Sequence, residues 1–307
     1  MRYQFITTDV FTDILFSGNQ LAVFPNAEGL DDKTMQLIAR EFNLSETVFV
    51  FPPTNRDNTR KLRIFTPGTE VPFAGHPTIG TAFILAATGE IPLRGEITEI
   101  VFEEGIGDIN VSITSKDGNP SFSQLSAGML PEFGPAAPAA EEIAKVLSLS
   151  VSDITSTEYF PQAVSCGVPF LFVPVNDLQA VKRAKVNLSE WERVFSNYWA
   201  PHIYIFTAQT ERPESSFHAR MFAPALGIAE DPATGAAATA FAGYLGSRIA
   251  EGNTTYTSTI EQGFEIGRSS LIQVTLHKED NRVTSIKVGG TSVLVGQGYI
   301  DVPDKPE

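Results

Sequence analysis

Three side chains in this 307-residue sequence stand where proton chemistry on a small anion would want them: Glu46, His76 and Asp231. Glu46 follows Ser45 and heads the apolar run Thr47–Phe51. A carboxyl at the end of a strand is partly removed from water. Desolvation raises its pKa, which suits a group that both takes and returns a proton near neutrality. His76 and Asp231 each directly precede a proline, Pro77 and Pro232. Behind these prolines run two stretches without a single charge, Thr78–Ala87 and Ala233–Gly246. A helix in either stretch would be buried on every side. Its N-terminus would present free backbone N–H groups and the positive end of the helix dipole, and Pro77 suits a first helical turn. Gly75 and Gly235 let that backbone approach a ligand closely, so each start reads as a cradle for a carboxylate. Glu46, His76 and Asp231 are therefore the candidate catalytic residues. Gly75, Pro77, Thr78, Gly235, Ala236 and Asn19 form the candidate substrate-binding set.

Taken singly, each has a plainer explanation. His76 would be a hydrogen-bonded structural histidine, Asp231 a helix cap and Glu46 half of a surface ion pair. What weighs for function is that the chain contains the pattern twice. Ser17–Val23 resembles Cys166–Phe172, and Arg63-Ile64-Phe65-Thr66-Pro67 resembles Arg220-Met221-Phe222-Ala223-Pro224. His76–Ala82 resembles Asp231–Ala237, and Glu103-Glu104-Gly105 resembles Glu261-Gln262-Gly263. Four echoes in one order, roughly half a chain apart, indicate a duplicated domain rather than a solenoid. On this alignment His76 and Asp231 are symmetry mates, and Glu46 falls opposite His202. A duplicated fold offers a cleft between its halves, a favoured place for a ligand.

The elements that must position these residues follow from periodicity. Strands are expected over 3–11, 20–24, 47–51, 60–66, 97–103 and 108–114, with an amphipathic helix over Asp31–Phe42. The second half offers a helix around Asn187–Asn197, with Ser189 as its cap, and a strand over His202–Thr207. The expected class is α+β: two pseudo-symmetric domains, each a barrel-like sheet around a central apolar helix. The N-terminal domain spans 1–127 and the C-terminal domain 128–287. The Pro/Ala-rich stretch 128–140 reads as the linker, and a strand within 288–302 returns to the first domain.

Composition narrows the partners. The chain has 22 basic and 36 acidic residues, a net charge of −14, and no basic run. This disfavours a nucleic acid or an anionic membrane as partner. A hydrophobic content of 42% with 22 Phe supplies two cores. The start MRYQFITTDVF lacks the apolar centre of a signal peptide and no run approaches a membrane span, so a cytoplasmic location is expected. Cys166 is the sole cysteine and lies among apolar residues, where it reads as inert packing. The histidines at 76, 202, 218 and 277 lack metal-ligand spacing, and no phosphate loop or nucleophile elbow is present.

Asn43-Leu44-Ser45-Glu46-Thr47, Phe65-Thr66-Pro67, Phe73-Ala74-Gly75-His76-Pro77-Thr78, Glu230-Asp231-Pro232-Ala233-Thr234-Gly235 and Glu261-Gln262-Gly263 together resemble the phenazine biosynthesis PhzF-like isomerases. The resemblance runs over nearly the whole chain. It implies the diaminopimelate-epimerase-like fold, with Glu46 as the acid/base that moves a proton along an allylic amino- or hydroxy-carboxylic acid. His76 and Asp231 would assist the transfer or hold the amino and hydroxyl groups. Backbone N–H groups near Gly75, Gly235 and Ala236 would hold the carboxylate. No metal or organic cofactor is implied. Two departures stand out. Ala236 replaces the serine that follows Thr-Gly in the phenazine enzyme, and Gly267-Arg268-Ser269-Ser270 replaces the family's Gly-Arg-Pro-Ser. Losing one neutral hydrogen bond at Ala236 is worth about 0.5–1.5 kcal/mol, which tolerates the chemistry but weakens a claim to the phenazine substrate. Two-thiol racemisation, which the related epimerases use, is excluded with a single cysteine away from those loops. The rival readings are a non-catalytic carboxylate-binding protein and an epimerase whose second base would be His202 or Asp231. The many Phe and an exposed-looking C-terminal strand are compatible with a homodimer.

Overall fold

The computed structural model describes residues 1–155, 157–249 and 252–303. The chain divides into two units: Met1–Ser126 together with the chain from Gly289 onward, and Ala127–Val288.

The first unit opens on a hairpin of β1 (Arg2–Val10) and β2 (Asn19–Phe24), with Val10 opposite Asn19. Gly18 closes the loop at φ +68, where a Cβ would overlap Val10 O and Thr12. Helix α1 (Asp32–Phe42) starts because Asp31 accepts a hydrogen bond from Thr34 N at 2.8 Å, and it ends at Asn43 in the left-handed region. Met35, Ile38 and Ala39 on its inner face pack against Phe24, Phe49 and Phe65. The helix carries the chain across to β3 (Glu46–Phe51), parallel to β2 with Glu46 opposite Leu21. Strand β4 (Arg60–Phe65) pairs antiparallel with β3, and the short β5 (Glu70–Val71) folds back on β4.

Helix α2 (Gly75–Ala87) then runs through the middle of the unit, touching β1, β2 and β3. From Gly75 to Ala86 only Phe83 is not fully buried. Gly80 makes this possible, since a Cβ there would stand 2.6 Å from both Leu21 and Val10 side chains. The sheet continues with β6 (Ile97–Glu104) parallel to β4, then β7 (Gly107–Lys116) and β8 (Asn119–Ser126) as an antiparallel meander.

The second unit repeats this order. It begins with β9 (Glu132–Phe133), which falls inside the stretch expected to be only a linker, and α3 (Ala140–Leu147). The hairpin of β10 (Gln162–Ser165) and β11 (Pro169–Pro174) is followed by α4 (Leu178–Arg183) and α5 (Leu188–Phe195). The cap of α5 is Asn187, whose Oδ1 accepts from Glu190 N, and not Ser189, which lies one residue inside the first turn. Strand β12 (His202–Thr207) runs parallel to β11, with His202 opposite Phe170. It pairs antiparallel with β13 (Phe217–Ala223), onto which β14 (Ile228–Asp231) folds. Helix α6 (Gly235–Gly246) fills the centre. Phe241 meets Phe206 at 4.6 Å between ring centroids and Phe217 edge-on at 5.1 Å. Such pairs add about 0.5–1.5 kcal/mol each to the area they bury. Strands β15 (Thr254–Gln262), parallel to β13, and β16 (Ser270–Glu279) lead to β17 (Arg282–Gly290).

The stretch 288–302, expected to hold one returning strand, holds the end of β17 and the whole of β18 (Ser292–Asp301). In the first unit β18 pairs with β1 along its full length, from Arg2 opposite Asp301 to Val10 opposite Ser292. Among the described residues no helix is long and apolar enough to cross a membrane.

Candidate active site

In the first unit, three short segments converge on the start of α2. Asn19 begins β2 and is buried, Glu46 begins β3, and Gly75 and His76 form the first turn of the helix. Nε2 of His76 stands 3.5 Å from Oε2 of Glu46. The two side chains differ in exposure, 6% for His76 against 19% for Glu46, and the Glu46 oxygen that faces the ring, Oε2, is itself buried. Burial pushes the His76 imidazole down to about 3, with a backbone hydrogen bond to Gln20 acting the other way. His76 is therefore neutral at ordinary pH. A neutral ring places no positive charge beside Glu46.

No side chain caps α2, whose N-cap residue is Ala74. Pro77 has no N–H, so Gly75 and His76 carry the first-turn donors. His76 and Pro77 thus lie inside the helix rather than just ahead of it. Thr78 Oγ1 is 2.8 Å from Ala74 O and 2.6 Å from Oε1 of Glu104, a buried carboxyl at the end of β6. Burial pushes that carboxyl up to about 8, although the contact with Thr78 acts against it.

In the second unit the corresponding helix start is Gly235-Ala236, again with no side-chain cap. Asp231 is buried at the end of β14, where its Oδ2 accepts from Thr234 Oγ1 at 2.5 Å. Gln262, at the end of β15, donates from Nε2 to Asp231 O and to Thr234 Oγ1. Asp231 is not the cap of α6, since Thr234 holds the N-cap position.

The helix starts also correct the pairing of the two halves. Gly75 and Gly235 both open their helices and are 160 positions apart. At that spacing Glu70-Val71-Pro72 matches Glu230-Asp231-Pro232, so Asp231 corresponds to Val71 and His76 to Ala236. His76 and Asp231 are therefore not symmetry mates. Each unit instead offers one of them, His76 in the first turn of its helix and Asp231 at the end of the strand that precedes its helix. The ion pairs agree with this register. Arg63 grips Glu70 through Nε and Nη2, and Arg220 grips Glu230 through the same two atoms. Glu46 and His202 hold like positions, each the first residue of a strand parallel to the second strand of its unit. Burial lowers the His202 pKa.

Several contributing groups carry no motif of their own. Glu103 and Glu261 each clamp a loop through two backbone N–H groups, Thr54 and Asn55 in one unit and Glu211 and Arg212 in the other. Glu261 and Glu265 also hold the two ring nitrogens of buried His218 at 2.8 and 2.9 Å. The echo of Glu103-Glu104-Gly105 in Glu261-Gln262-Gly263 was the available signal for Glu104 and Gln262. Cys166 is half-buried, and burial pushes its thiol up to about 12, which keeps it from acting as a thiolate. Among the described residues no three His, Cys, Asp or Glu side chains are grouped to hold a metal ion.

The model of the family described as phenazine biosynthesis-like protein matches residues 8–298. The chain belongs to that family. An uncharacterized isomerase of Mesorhizobium japonicum is 38% identical over 96% of this chain and 98% of its own length. The trans-2,3-dihydro-3-hydroxyanthranilate isomerase of Pseudomonas fluorescens is 32% identical over 97% and 99%. The crystal structure of a PhzF-family phenazine biosynthesis protein of Bacillus anthracis superposes with a TM-score of 0.87 at 25% identity, covering 98% of this chain and all of that one. Like these relatives, this phenazine biosynthesis-like protein is an enzyme of the isomerase class with the diaminopimelate-epimerase-like α+β fold.

Proposed function

We propose that this protein moves a proton between two carbons of a small, unsaturated amino- or hydroxy-carboxylic acid, with Glu46 as the group that takes and returns it. The observation that carries this is the pairing of Glu46 with a neutral histidine at an uncapped helix start. Glu46 removes the proton from a carbon next to a double bond. The C–H electron pair forms a new C=C bond, the old π pair moves one carbon on, and the Glu46 carboxyl, whose proton exchanges with solvent, delivers a proton to that carbon. Nothing is oxidised or reduced, and the carboxyl ends as it began. Neutral His76, with one ring nitrogen turned to the Gln20 backbone, leaves Nε2 to accept from Glu46 when that carboxyl carries the proton, without fixing it in a salt bridge. The first-turn N–H groups at Gly75 and His76 suit a substrate carboxylate. Pro77 and Thr78 keep that turn rigid, and Asn19 lines the neighbouring strand start.

The relatives favour an amino-hydroxy-diene carboxylate as the first compound to test, namely trans-2,3-dihydro-3-hydroxyanthranilate. Incubating it with the protein in D2O separates an isomerase from a carboxylate-binding protein. Deuterium entering a substrate carbon supports the proposal, and binding with no exchange supports the rival. An epimerase would invert a centre without shifting a double bond, which proton NMR of the product distinguishes.

A further inference from the structure

Thr78 Oγ1 makes two close contacts, to Ala74 O and to Glu104 Oε1, but a hydroxyl has one hydrogen. Ala74 O can only accept. When Thr78 donates to it, the 2.6 Å contact requires a hydrogen on Glu104. The opposite arrangement would put a carboxylate in the interior with its second oxygen, Oε2, buried and without a hydrogen-bond partner among the described residues. That leaves a charge unsolvated, which is the costlier choice.

The second unit holds a comparable chain of donors ahead of its helix, through Thr234, which stands at the N-cap where the first unit has Ala74, and there the hydrogens are fixed by chemistry. Gln262 occupies the position of Glu104, its amide donates to Thr234, and Thr234 passes its hydrogen to Asp231. An amide N–H has only one direction to point, and the neutral acid reproduces it.

We infer that Glu104 is a positioning residue kept as the neutral acid, bracing the first turn of α2 through Thr78 as Gln262 braces the loop before α6. Its neutrality leaves the positive helix end free for the substrate's anion. An ionised Glu104 would occupy that field itself and repel a bound carboxylate.

Among the described residues, no other ionisable group competes for this role. His76 is the only titratable residue of α2, it is neutral, and β8 carries none. On β4, Arg60 donates to Thr59 O and Glu90 O, and Lys61 lies beside Glu103. Glu103 is spent on the loop at 54–55, Asp108 of β7 accepts from Asn58, and Glu70 of β5 is held by Arg63.

Carbon-13 NMR of the carboxyl groups of the full chain, with the Glu104 signal assigned by its loss in Glu104→Gln, tests the protonation directly. The inference expects a midpoint near 8. Ionisation near the ordinary value of 4.5 would overturn it. Because the folded state then holds a proton that the unfolded chain releases, wild-type stability should fall relative to E104Q as pH rises from about 4.5 to about 8, and the gap should then level off. Parallel melting curves would contradict it. The anion part rests on the isomerase reading. With trans-2,3-dihydro-3-hydroxyanthranilate, KM should rise up to about tenfold per pH unit above the Glu104 midpoint while kcat holds, and in E104Q it should stay flat. An equal rise in both proteins overturns the bracing role. If the compound is not turned over at all, the isomerase reading fails, and the titration and melting curves still decide the state of Glu104.

Discussion

The 3.5 Å contact between His76 Nε2 and Glu46 Oε2 is not a meeting of two full charges, because burial keeps the imidazole neutral down to about pH 3. A histidinium would pin the carboxylate and lower its basicity. A neutral ring leaves Glu46 able to change its protonation state, which is what proton transfer demands.

The first prediction follows from that neutrality. His76 binds no proton in the folded state between pH 6.5 and about 3, whereas the unfolded chain does. Stability should therefore fall as pH drops through this window. In His76→Gln the part of the acid-side loss due to this group should vanish. A His76 ring that titrates near 6.5 in a two-dimensional NMR titration would contradict the burial argument.

The twin ion pairs give a second prediction. Arg63 with Glu70 and Arg220 with Glu230 share one geometry, but the Arg63 side chain is 23% exposed and its Glu70 partner 42%, whereas both members of the second pair are 9% exposed. Removing Arg220 strands a buried carboxylate and should cost about 3–5 kcal/mol. Arg63→Ala should cost only about 0.2–1 kcal/mol. Denaturant unfolding of the two alanine variants measures the difference, and equal losses would show that burial does not set it.

His218 supplies a third. Burial disfavours its charge, but the hydrogen bonds to Glu261 and Glu265 overcome this and raise its pKa to about 9. The stabilisation is complete below 6.5 and is lost as pH rises from there through about 9. His218→Gln should destabilise the protein by about 3–5 kcal/mol at pH 6 and by clearly less at pH 10. A loss that does not vary with pH would mean the ring is neutral.

The fold was legible because its signals are local. Two uncharged runs ending in Gly246 and Ala87 could only be central helices, and the strand expected over His202–Thr207, a continuous run buried at every position, has the observed bounds. The register of the repeat was less legible. A shared proline at 77 and 232 suggested one spacing, whereas the helix starts at Gly75 and Gly235 and the Arg63 and Arg220 ion pairs impose another. Sequence similarity weighs identical letters, but the chain is held in register by backbone geometry and by which arginine reaches which glutamate. Glu104 was hidden for a related reason. The repeat marked its motif, but nothing in its neighbours announces burial, and its role depends on Thr78, 26 positions away.

The most direct measurement is Glu46→Gln assayed in D2O with trans-2,3-dihydro-3-hydroxyanthranilate, or with any unsaturated carboxylic acid that the wild type is found to convert. The amide keeps the shape of Glu46 but cannot carry a proton between carbons. With Glu46 as the base, wild type should incorporate deuterium and shift the double bond, and E46Q should lose about two orders of magnitude or more in kcat with its fold intact. An E46Q protein that isomerises and exchanges at close to the wild-type rate would contradict the central claim.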